Sequence, residues 1–264
     1  MKKRLSIITV CYNSEQTIEK TFNSILSQTV KPFEYIVVDG SSTDKTLSII
    51  QEYKNKFSDK SISFKYISEK DKGLYDAMNK GLFMAEGDWI HFLNSDDQYY
   101  DNNILEKITP FIDNKYDVVY GNVVLLFENG DLKVQKPKGL SRKYSMYFKC
   151  PVFQPAAIVK TEILKKYGFD SKYKNSADYK LWVQLITDKA FFYYKDISIT
   201  IFKTGGASTN LSKMNNENIH FFNELKLYFG SFVHMLYFHM YILDFMKHKT
   251  PKLHSTIKRV LRRN

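Results

Sequence analysis

The sequence Trp89-Ile90-His91-Phe92-Leu93-Asn94-Ser95-Asp96-Asp97 joins a short apolar run to an amide and two adjacent carboxylates. The apolar residues predict a buried strand, and the polar residues follow where that strand ends. Neighbouring carboxylates repel each other, and a divalent cation that prefers oxygen ligands relieves that repulsion. The stretch therefore predicts a metal-binding strand end. An ordinary acidic turn, stabilised by Asn94 and Ser95, is the alternative.

A second acid-tipped strand lies earlier in the chain. Tyr35–Val38 is β-branched and aromatic and stops at Asp39, after which Gly40 and several hydroxyl residues turn the chain towards a helix. Ligands of open α/β sheets collect at the carboxyl ends of the strands, so two acid-tipped strands predict one shared crevice. Asp39 suits the ribose or base of a nucleotide, and the Asp96–Asp97 pair suits a metal-bound diphosphate.

The composition is that of a globular protein. The 264 residues, 44% hydrophobic and 25% charged, can bury the core of one large α/β domain with an appendage. Two cysteines, Cys11 and Cys150, provide no disulfide framework, so a reducing cytoplasm is expected. The apolar stretch after the basic start is only Leu5–Val10, which predicts a first strand and not an export signal.

Strand and helix patterns alternate over roughly the first 100 residues, which predicts a parallel sheet with right-handed crossovers. The elements expected there are strands at 5–10, 35–38 and 62–67, a first helix capped by Asn13 or Ser14, and helices that start near Thr43 and near Leu74. Beyond residue 115 we expect two strands, 117–120 and 123–127, and a hairpin turn at Asn129-Gly130. Neither G-x-G-x-x-G nor G-x-x-x-x-G-K-[ST] occurs, so a dinucleotide oxidoreductase and a P-loop phosphotransferase are not supported.

Four blocks follow one another in the order and spacing of a known family. They are Ser6–Asn13 (SIITVCYN), Val37–Asp44 (VVDGSSTD), Asp71–Gly81 (DKGLYDAMNKG) and Gly87–Asp97 (GDWIHFLNSDD). These blocks resemble the successive motifs of family 2 glycosyltransferases with the GT-A fold. A looser resemblance continues to about residue 210 through Tyr120-Gly121-Asn122, Gln154, residues 175–182 and residues 205–208.

The resemblance implies a nucleotide-sugar donor held by residues of these blocks. Thr9, Tyr12 and Asp39 would line the nucleotide pocket, with Asp39 accepting hydrogen bonds from the base or ribose. Asp76 and Asn79 share one helical face and could reach the same ligand. The remaining positions expected at the donor are Asn13, Lys72 (against phosphate charge), Gly73, Asn94 and Ser95. Each of four positions has a simpler alternative. Asp76 could be an acid of the first helical turn and Asn79 an exposed amide. Lys72 could be merely solvated, and Gly73 could serve the local backbone.

The metal motif departs from the commonest form of the family, in which an Asp stands in the place of Asn94. The amide can still bond a ribose hydroxyl, but the metal site loses one formal charge. Asp96 and Asp97 remain as candidate ligands, and either could contact the ion directly. Oxygen ligands favour Mg²⁺ or Mn²⁺.

Asp178 is the expected catalytic residue. It opens a helix with an apolar face that includes Leu181 and Leu185, and such a helix start can hold a general base rigidly. By resemblance, Asp178 would take the proton of an acceptor hydroxyl while that oxygen attacks the anomeric carbon with inversion. A helix-capping acid is the alternative. Many relatives carry a second acid where this chain has Ala177, and Trp182 could stack on an acceptor sugar or belong to the core.

The C-terminal part combines an aromatic run with a basic tail. Residues 227–243 contain no Lys, Arg, Asp or Glu but fall short of the ~20 apolar residues of a transmembrane helix, so an interfacial helix is expected. Residues 247–264 carry seven Lys or Arg and no acid, within a net charge of +11, which suits an anionic membrane surface. Packing of the helix on the catalytic domain or on a second subunit, and a disordered tail, are the alternatives. Nucleic acid is a poorer explanation of the charge, because no reading helix or stacking module accompanies it.

Together these features predict an α/β GT-A fold, with a mostly parallel Rossmann-like sheet flanked by helices and a C-terminal helical appendage. Residues 1–210 would form the glycosyltransferase domain, with a nucleotide-binding half at about 1–100 and an acceptor half at about 101–210, and residues 211–264 the appendage. The expected reaction transfers a sugar from a UDP-sugar to a hydroxyl of a glycan or lipid-linked acceptor. It would serve bacterial surface polysaccharide synthesis at the inner face of the cell membrane. A sugar nucleotidyltransferase and a catalytically silent scaffold are the alternatives.

Overall fold

The computed structural model describes residues 3–137, 145–204 and 211–249. Over these ranges one sheet contains nine strands: β1 (Leu5–Cys11), β2 (Glu34–Asp39), β3 (Ser63–Ser68), β4 (Trp89–Phe92), β5 (Gln98–Tyr99), β6 (Val118–Leu126), β7 (Leu132–Gln135), β8 (Ala157–Lys160) and β9 (Phe192–Lys203). The α-helices of the described ranges are α1 (Ile18–Leu26), α2 (Thr46–Ser58), α3 (Leu74–Met84), α4 (Ile104–Ile108), α5 (Thr161–Tyr167), α6 (Ala177–Thr187), α7 (Leu211–Glu224) and α8 (Tyr228–Lys249).

The sheet has a parallel part and a mixed part. The strand order is β3-β2-β1-β4-β8-β6-β9-β5, and β7 pairs with β6 outside this path. Strands β3, β2, β1 and β4 are parallel, whereas β8 pairs antiparallel with both β4 and β6. The chain runs from β1 to β2 and β3 on one side and then returns to β4 on the other. This reversal makes the carboxyl ends of β1 and β4 the topological switch point, where ligands of such sheets bind.

Helix α3 covers the parallel strands at close range. Its buried face includes Tyr75, Met78 and Leu82, and Gly81 lies directly against β1. A Cβ atom on Gly81 would stand 2.5 Å from the Ile8 Cγ2 atom, so only glycine allows this approach. The glycine near the end of the Asp71–Gly81 block therefore fixes the distance between α3 and the strand that leads into the crevice.

The strands expected in the first 100 residues are confirmed within one residue at each end, and two other expectations are wrong. Helix α1 begins at Ile18, because Asn13 does not cap it: the Asn13 side-chain oxygen accepts a hydrogen bond from the Thr43 N–H at 2.9 Å, and Ser14 forms a separate turn. The two strands expected at 117–120 and 123–127 form one strand, β6. Its register shifts around Gly121, where the backbone lies against the Ile197 carbonyl of β9.

The aromatic C-terminal run forms α8, and its first part packs against α7. Gly230 lies against the Phe222 ring, with Val233 and His234 also buried. Later residues of α8, among them Met235 and Met240, are exposed. In the described part of the chain, none of the helices combines the length and the apolar character needed to cross a membrane. The start of α8 therefore packs within the protein, which was one of the alternatives to an interfacial helix. The tail beyond residue 249, the residues 205–208 of the looser resemblance and the proposed boundary near residue 210 fall outside the described residues.

Candidate active site

A cleft of about 1250 Å³ opens at the carboxyl ends of β1 and β4. Segments from both halves of the chain line it: the end of β1, the turn after β4, the start of α3, the start of α6 and the end of β9. The predicted site residues that line this cleft are Tyr12, Asn13, Gly73, Asn94, Ser95, Asp96 and Asp178. The two acid-tipped strands do not contribute equally, because Asp39 is absent from the lining.

The turn after β4 is held by hydrogen bonds that leave Asp96 in the cleft. The Asp97 N–H donates to the Asn94 carbonyl at 3.0 Å, and the Thr21 hydroxyl donates to the Asp97 carbonyl at 2.7 Å. The Ser95 and Ser14 hydroxyls are 2.9 Å apart. Partial desolvation raises the pKa of Asp96, and the Lys203 ammonium, which also lines the cleft, opposes that shift.

Asp97 is a buried carboxyl group without a partner. The residue is 0% exposed, and neither of its carboxyl oxygens accepts a hydrogen bond. Burial raises the pKa of Asp97 well above its usual value, and the adjacent charge of Asp96 raises it further. The side-chain oxygen of Asn94 is also buried and unpaired. Buried polar atoms are normally hydrogen-bonded. The protein provides no partner for these oxygens, so a partner from outside the protein is expected.

The oxygens of Asn94, Asp96 and Asp97 fit the chemistry of a Mg²⁺ or Mn²⁺ ion. Both ions prefer oxygen donors, and Mg²⁺ is commonly held by one or two carboxylates together with substrate phosphates and water. Among the described residues, no three His, Cys, Asp or Glu side chains lie close enough to hold a metal together. An ion at this turn would therefore need further oxygen ligands, which phosphate groups or water can provide.

Asp178 stands in the first turn of α6 and faces the cleft. Its Oδ1 atom accepts a hydrogen bond from the Tyr75 hydroxyl of α3 at 2.7 Å. Desolvation raises the pKa of Asp178, and the bond from Tyr75 acts in the opposite direction. Ser176, not Asp178, is the N-cap residue of the helix. Asp178 is thus a carboxylate oriented by a side chain of another helix, an arrangement that suits a general base.

Two residues that the structure brings to the site had no assigned role in the sequence. Tyr75 belongs to the Asp71–Gly81 block, but its spacing with Met78 and Leu82 marks it only as a residue of the buried face of α3. Lys203 lies at the end of β9, more than 100 residues from the turn after β4. Only the folded sheet brings this lysine beside Asp96. No local pattern marks either residue.

Thr9 and Asp39 lie beneath the cleft and not on its wall. The Thr9 hydroxyl donates to the Leu93 carbonyl at 2.5 Å and accepts a bond from Tyr35, so it ties β1 to the end of β4. The Asp39 carboxylate is buried and accepts hydrogen bonds from the Ser42 and Ser68 hydroxyls. The expectation that Thr9 lines the pocket is therefore wrong. Direct contact between Asp39 and a base stays a prediction that would require these hydrogen bonds to rearrange.

Lys72, Asp76 and Asn79 do not converge on the cleft. The Asn79 amide donates to the Phe169 carbonyl at 2.7 Å and accepts from the Phe169 N–H at 2.9 Å, so both of its polar atoms hold the backbone after α5. The Asp76 carboxylate accepts the Lys72 N–H at 2.9 Å, and the Lys72 side chain is exposed. The shared helical face of Asp76 and Asn79 does not bring them to one ligand. Trp182, the proposed acceptor platform, is buried in the core.

Comparison with known proteins identifies the family. The model of "Glycosyl transferase family 2" matches residues 6–168. The uncharacterized glycosyltransferase MJ1057 of Methanocaldococcus jannaschii is 28% identical over 241 residues, which is 88% of this chain and 82% of that protein. WfgD of Escherichia coli, a UDP-Glc:alpha-D-GlcNAc-diphosphoundecaprenol beta-1,3-glucosyltransferase, is 31% identical over 186 residues, 70% of each chain. With a PGL/p-HBAD biosynthesis glycosyltransferase of Mycobacterium bovis the identity is 36%, but the match spans only 47% of this chain and 48% of that protein.

Solved structures agree with the GT-A fold. TarS from S. aureus in complex with UDP-GlcNAc superposes with a TM-score of 0.62 at 24% identity, covering 83% of this chain and 65% of that one. The mannosyltransferase PcManGT from Pyrobaculum calidifontis, in complex with GDP-Man and Mn²⁺, gives a TM-score of 0.67 at 14% identity over 98% of this chain and 79% of that one. The predicted α/β fold class is confirmed.

The unpaired Asp97 carboxyl leads to a prediction about stability without metal. Asp97→Asn should raise the free energy of unfolding in EDTA by about 1–3 kcal/mol, because it removes an uncompensated buried acid. Burial raises the pKa of Asp97 in the folded state. The wild type should therefore lose stability as the pH rises above the pKa that Asp97 has in the unfolded chain, whereas Asp97→Asn should not. Thermal unfolding in EDTA between pH 5 and pH 8 measures both effects.

Asp96→Asn is the matched control, because Asp96 is exposed in the same turn. It should change stability in EDTA by less than about 0.5 kcal/mol. A lower stability of Asp97→Asn than of the wild type would contradict the account, since it would mean that the buried carboxyl group has favourable partners.

Proposed function

Because this chain belongs to glycosyl transferase family 2, we propose that it transfers a sugar from a UDP-sugar to a hydroxyl group of a lipid-linked glycan, with inversion. The observation that carries this proposal is the cleft whose wall contains both Asp96, with the buried Asp97 next to it in the chain, and the Tyr75–Asp178 pair. One group of side chains suits a nucleoside diphosphate with its metal, and the other suits the removal of a proton from an acceptor.

Relatives support the finer points of the proposal. WfgD is named for a UDP-Glc donor and a diphosphoundecaprenol-linked acceptor, and a crystal structure of TarS contains UDP-GlcNAc. The PcManGT complex contains GDP-Man and Mn²⁺, which supports a metal and a nucleoside diphosphate sugar. UDP is favoured because WfgD is the nearer of these in sequence. The family match argues against the sugar nucleotidyltransferase alternative.

The proposed reaction uses this chain's own residues at three points. The donor diphosphate lies by Asp96, with Lys203 beside it as a counter-charge. Asp178 accepts the proton of the acceptor hydroxyl as its oxygen attacks the anomeric carbon and the nucleoside diphosphate leaves from the opposite face. Tyr75 holds the carboxylate in position through the 2.7 Å hydrogen bond. A Mg²⁺ or Mn²⁺ ion, held by Asp96 and Asp97, supplies neutralisation of the diphosphate charge when bound.

A lipid-linked acceptor is consistent with the surface of α8. Its residues Tyr228, Phe232, Met235 and Met240 expose apolar side chains, and the sequence continues into the basic residues of 247–264. Aromatic side chains beside clustered Lys and Arg suit an anionic lipid surface. We place the enzyme at the inner face of the cell membrane on this argument. The alternative is that a second copy of the chain covers the exposed apolar side chains of α8.

Nucleotide binding should depend on metal. UDP with Mn²⁺ or Mg²⁺ should raise the unfolding temperature more than UDP with EDTA, because binding to the folded state alone stabilises it. Asp96→Ala and Asp97→Ala should each remove the metal-dependent part. Glu128→Ala, which changes another acid of the cleft wall, should retain it. Equal stabilisation by UDP in both buffers would rule out the metal assignment. Repeating the thermal-shift measurement with GDP, CDP and dTDP sugars tests the base.

Catalysis and donor binding should separate at Asp178. Asp178→Asn keeps the size of the side chain but cannot accept a proton, so transfer should fall by roughly 10²–10⁴-fold with donor binding little changed. Asp188→Asn, at the C-cap of the same helix, is the control and should transfer normally. Turnover like that of the wild type in Asp178→Asn would show that Asp178 has only a structural role.

Membrane binding should require negative lipid. The protein should sediment with anionic vesicles and not with neutral ones, and binding should weaken with salt, since each exposed Lys or Arg near the surface contributes ~1 kcal/mol that salt screens. Truncation before Lys247 should remove the salt-sensitive part and leave UDP binding intact. Phe232→Ser should weaken binding, whereas Phe83→Ser on α3 should not. Self-association without vesicle binding would favour a second copy on α8.

A further inference from the structure

The Glu217 side chain of α7 reaches the segment immediately before α6. Its Oε1 atom accepts hydrogen bonds from the Lys174 N–H at 3.0 Å and the Asn175 side-chain amide at 2.8 Å. Its Oε2 atom accepts the Asn175 N–H and the Ser176 hydroxyl, both at 2.9 Å. One carboxylate thus satisfies four donors of three consecutive residues. We call this group of hydrogen bonds the Glu217 clamp.

The clamp replaces the usual cap of α6. A serine at an N-cap normally accepts a hydrogen bond from its own helix, which stabilises the helix start. Ser176 is the N-cap of α6 but its side chain accepts no such bond; its buried hydroxyl donates to Glu217. The start of α6 is therefore held from a different helix. This tie fixes the position of the helix start relative to α7, which an internal cap cannot do.

The segment that Glu217 holds is also tied to the start of α3, which lines the cleft. The Lys174 ammonium donates to the Lys72 carbonyl at 2.8 Å, immediately before Gly73 and the start of α3. Tyr75, the partner of Asp178, lies in the first turn of α3. The segment that Glu217 holds therefore contacts both helix starts that carry the Tyr75–Asp178 pair.

We propose that Glu217 is a positioning residue, which holds the start of α6 so that the Asp178 carboxylate meets Tyr75 at the cleft. The inference rests on the proposed role of Asp178 as the base. Glu217 does not itself line the cleft, and acts through the segment 174–176, of which Asn175 is part of the cleft wall. Its place in α7 puts it outside residues 6–168, the part of the chain that the family model matches.

The negative charge of Glu217 gives the proposal an electrostatic signature. The charged and titratable groups that act on Asp178 are Tyr75 of α3, Cys150 before β8 and Glu217 of α7. Burial raises the pKa of Asp178, and the negative charge of Glu217 adds to that rise, so neutralising Glu217 should shift this pKa downwards. A base is active when ionised, and the acidic limb of the rate should therefore move to lower pH. Loss of folded protein alone would not move this limb in that direction.

The test compares Glu217→Ala and Glu217→Gln with Glu224→Gln. Glu224 also joins α7 to α6, through the buried Lys180, but makes no bond to residues 174–176. Amide hydrogen exchange of the full chain reports the clamp directly. The rate of UDP release from UDP-glucose or UDP-GlcNAc, with water as the acceptor, reports catalysis as a function of pH. Thermal unfolding gives the loss of stability in each variant.

Glu217→Ala should speed exchange at the Lys174 and Asn175 amides by ~10-fold or more, because both lose their acceptor. The kcat for UDP release should fall by ~10-fold to 10²-fold with KM for the donor unchanged, since the base is displaced and the donor site is not. Glu217→Gln should show a smaller loss and the shift of the acidic limb. Glu224→Gln should lower the unfolding temperature without either effect on catalysis.

Unchanged exchange at residues 174–176 in both Glu217 variants would overturn the proposal. A fall in kcat that Glu224→Gln reproduces at equal stability would also overturn it. If Asp178→Asn releases UDP at the wild-type rate, the assignment of the base is wrong. The exchange measurement then decides alone whether Glu217 holds the start of α6.

Discussion

The parallel pairing of β1 with both β2 and β4 is the constraint on which the site depends. This register sets Cys11 opposite Asp39 and Ile8 opposite Phe92, so the three strands end at one edge. The Thr9 hydroxyl then fastens β1 to the Leu93 carbonyl, one residue before the turn that carries Asp96 and Asp97. The Leu93 N–H also donates to the Ile8 carbonyl at 2.9 Å, so two hydrogen bonds hold the residue before the turn against β1.

The sequence predicted features that local patterns encode. Apolar runs such as Tyr35–Val38 located the parallel strands, and Asp96 after β4 located the cleft, because parallel strands end on one edge. Contacts between distant segments were not predictable in this way. The Tyr75–Asp178 bond joins residues 103 positions apart, and the burial of Thr9 follows from its hydrogen bonds with Tyr35 and Leu93. The bulge at Gly121 looked like a strand break because its partner, β9, lies far along the chain.

Between them, the C-terminal helices α7 and α8 support the segment before Asp178 and expose an apolar surface. The part of the chain matched by the family model ends at residue 168, before Asp178. Helix α7 holds the segment before α6 through Glu217, and α8 packs on α7 while exposing apolar residues. The same pair of helices thus contacts the element that carries the proposed base and provides the proposed membrane surface. Helix α7 therefore links the proposed base to the proposed membrane surface.

The most direct test of the account is a crystal structure of the protein with UDP and Mn²⁺, with the metal located by its anomalous scattering. The account predicts a manganese peak within about 2.5 Å of an Asp96 or Asp97 carboxyl oxygen, with the diphosphate in the cleft that Asp178 faces. UDP bound outside this cleft, or a metal bound away from the turn after β4, would contradict it.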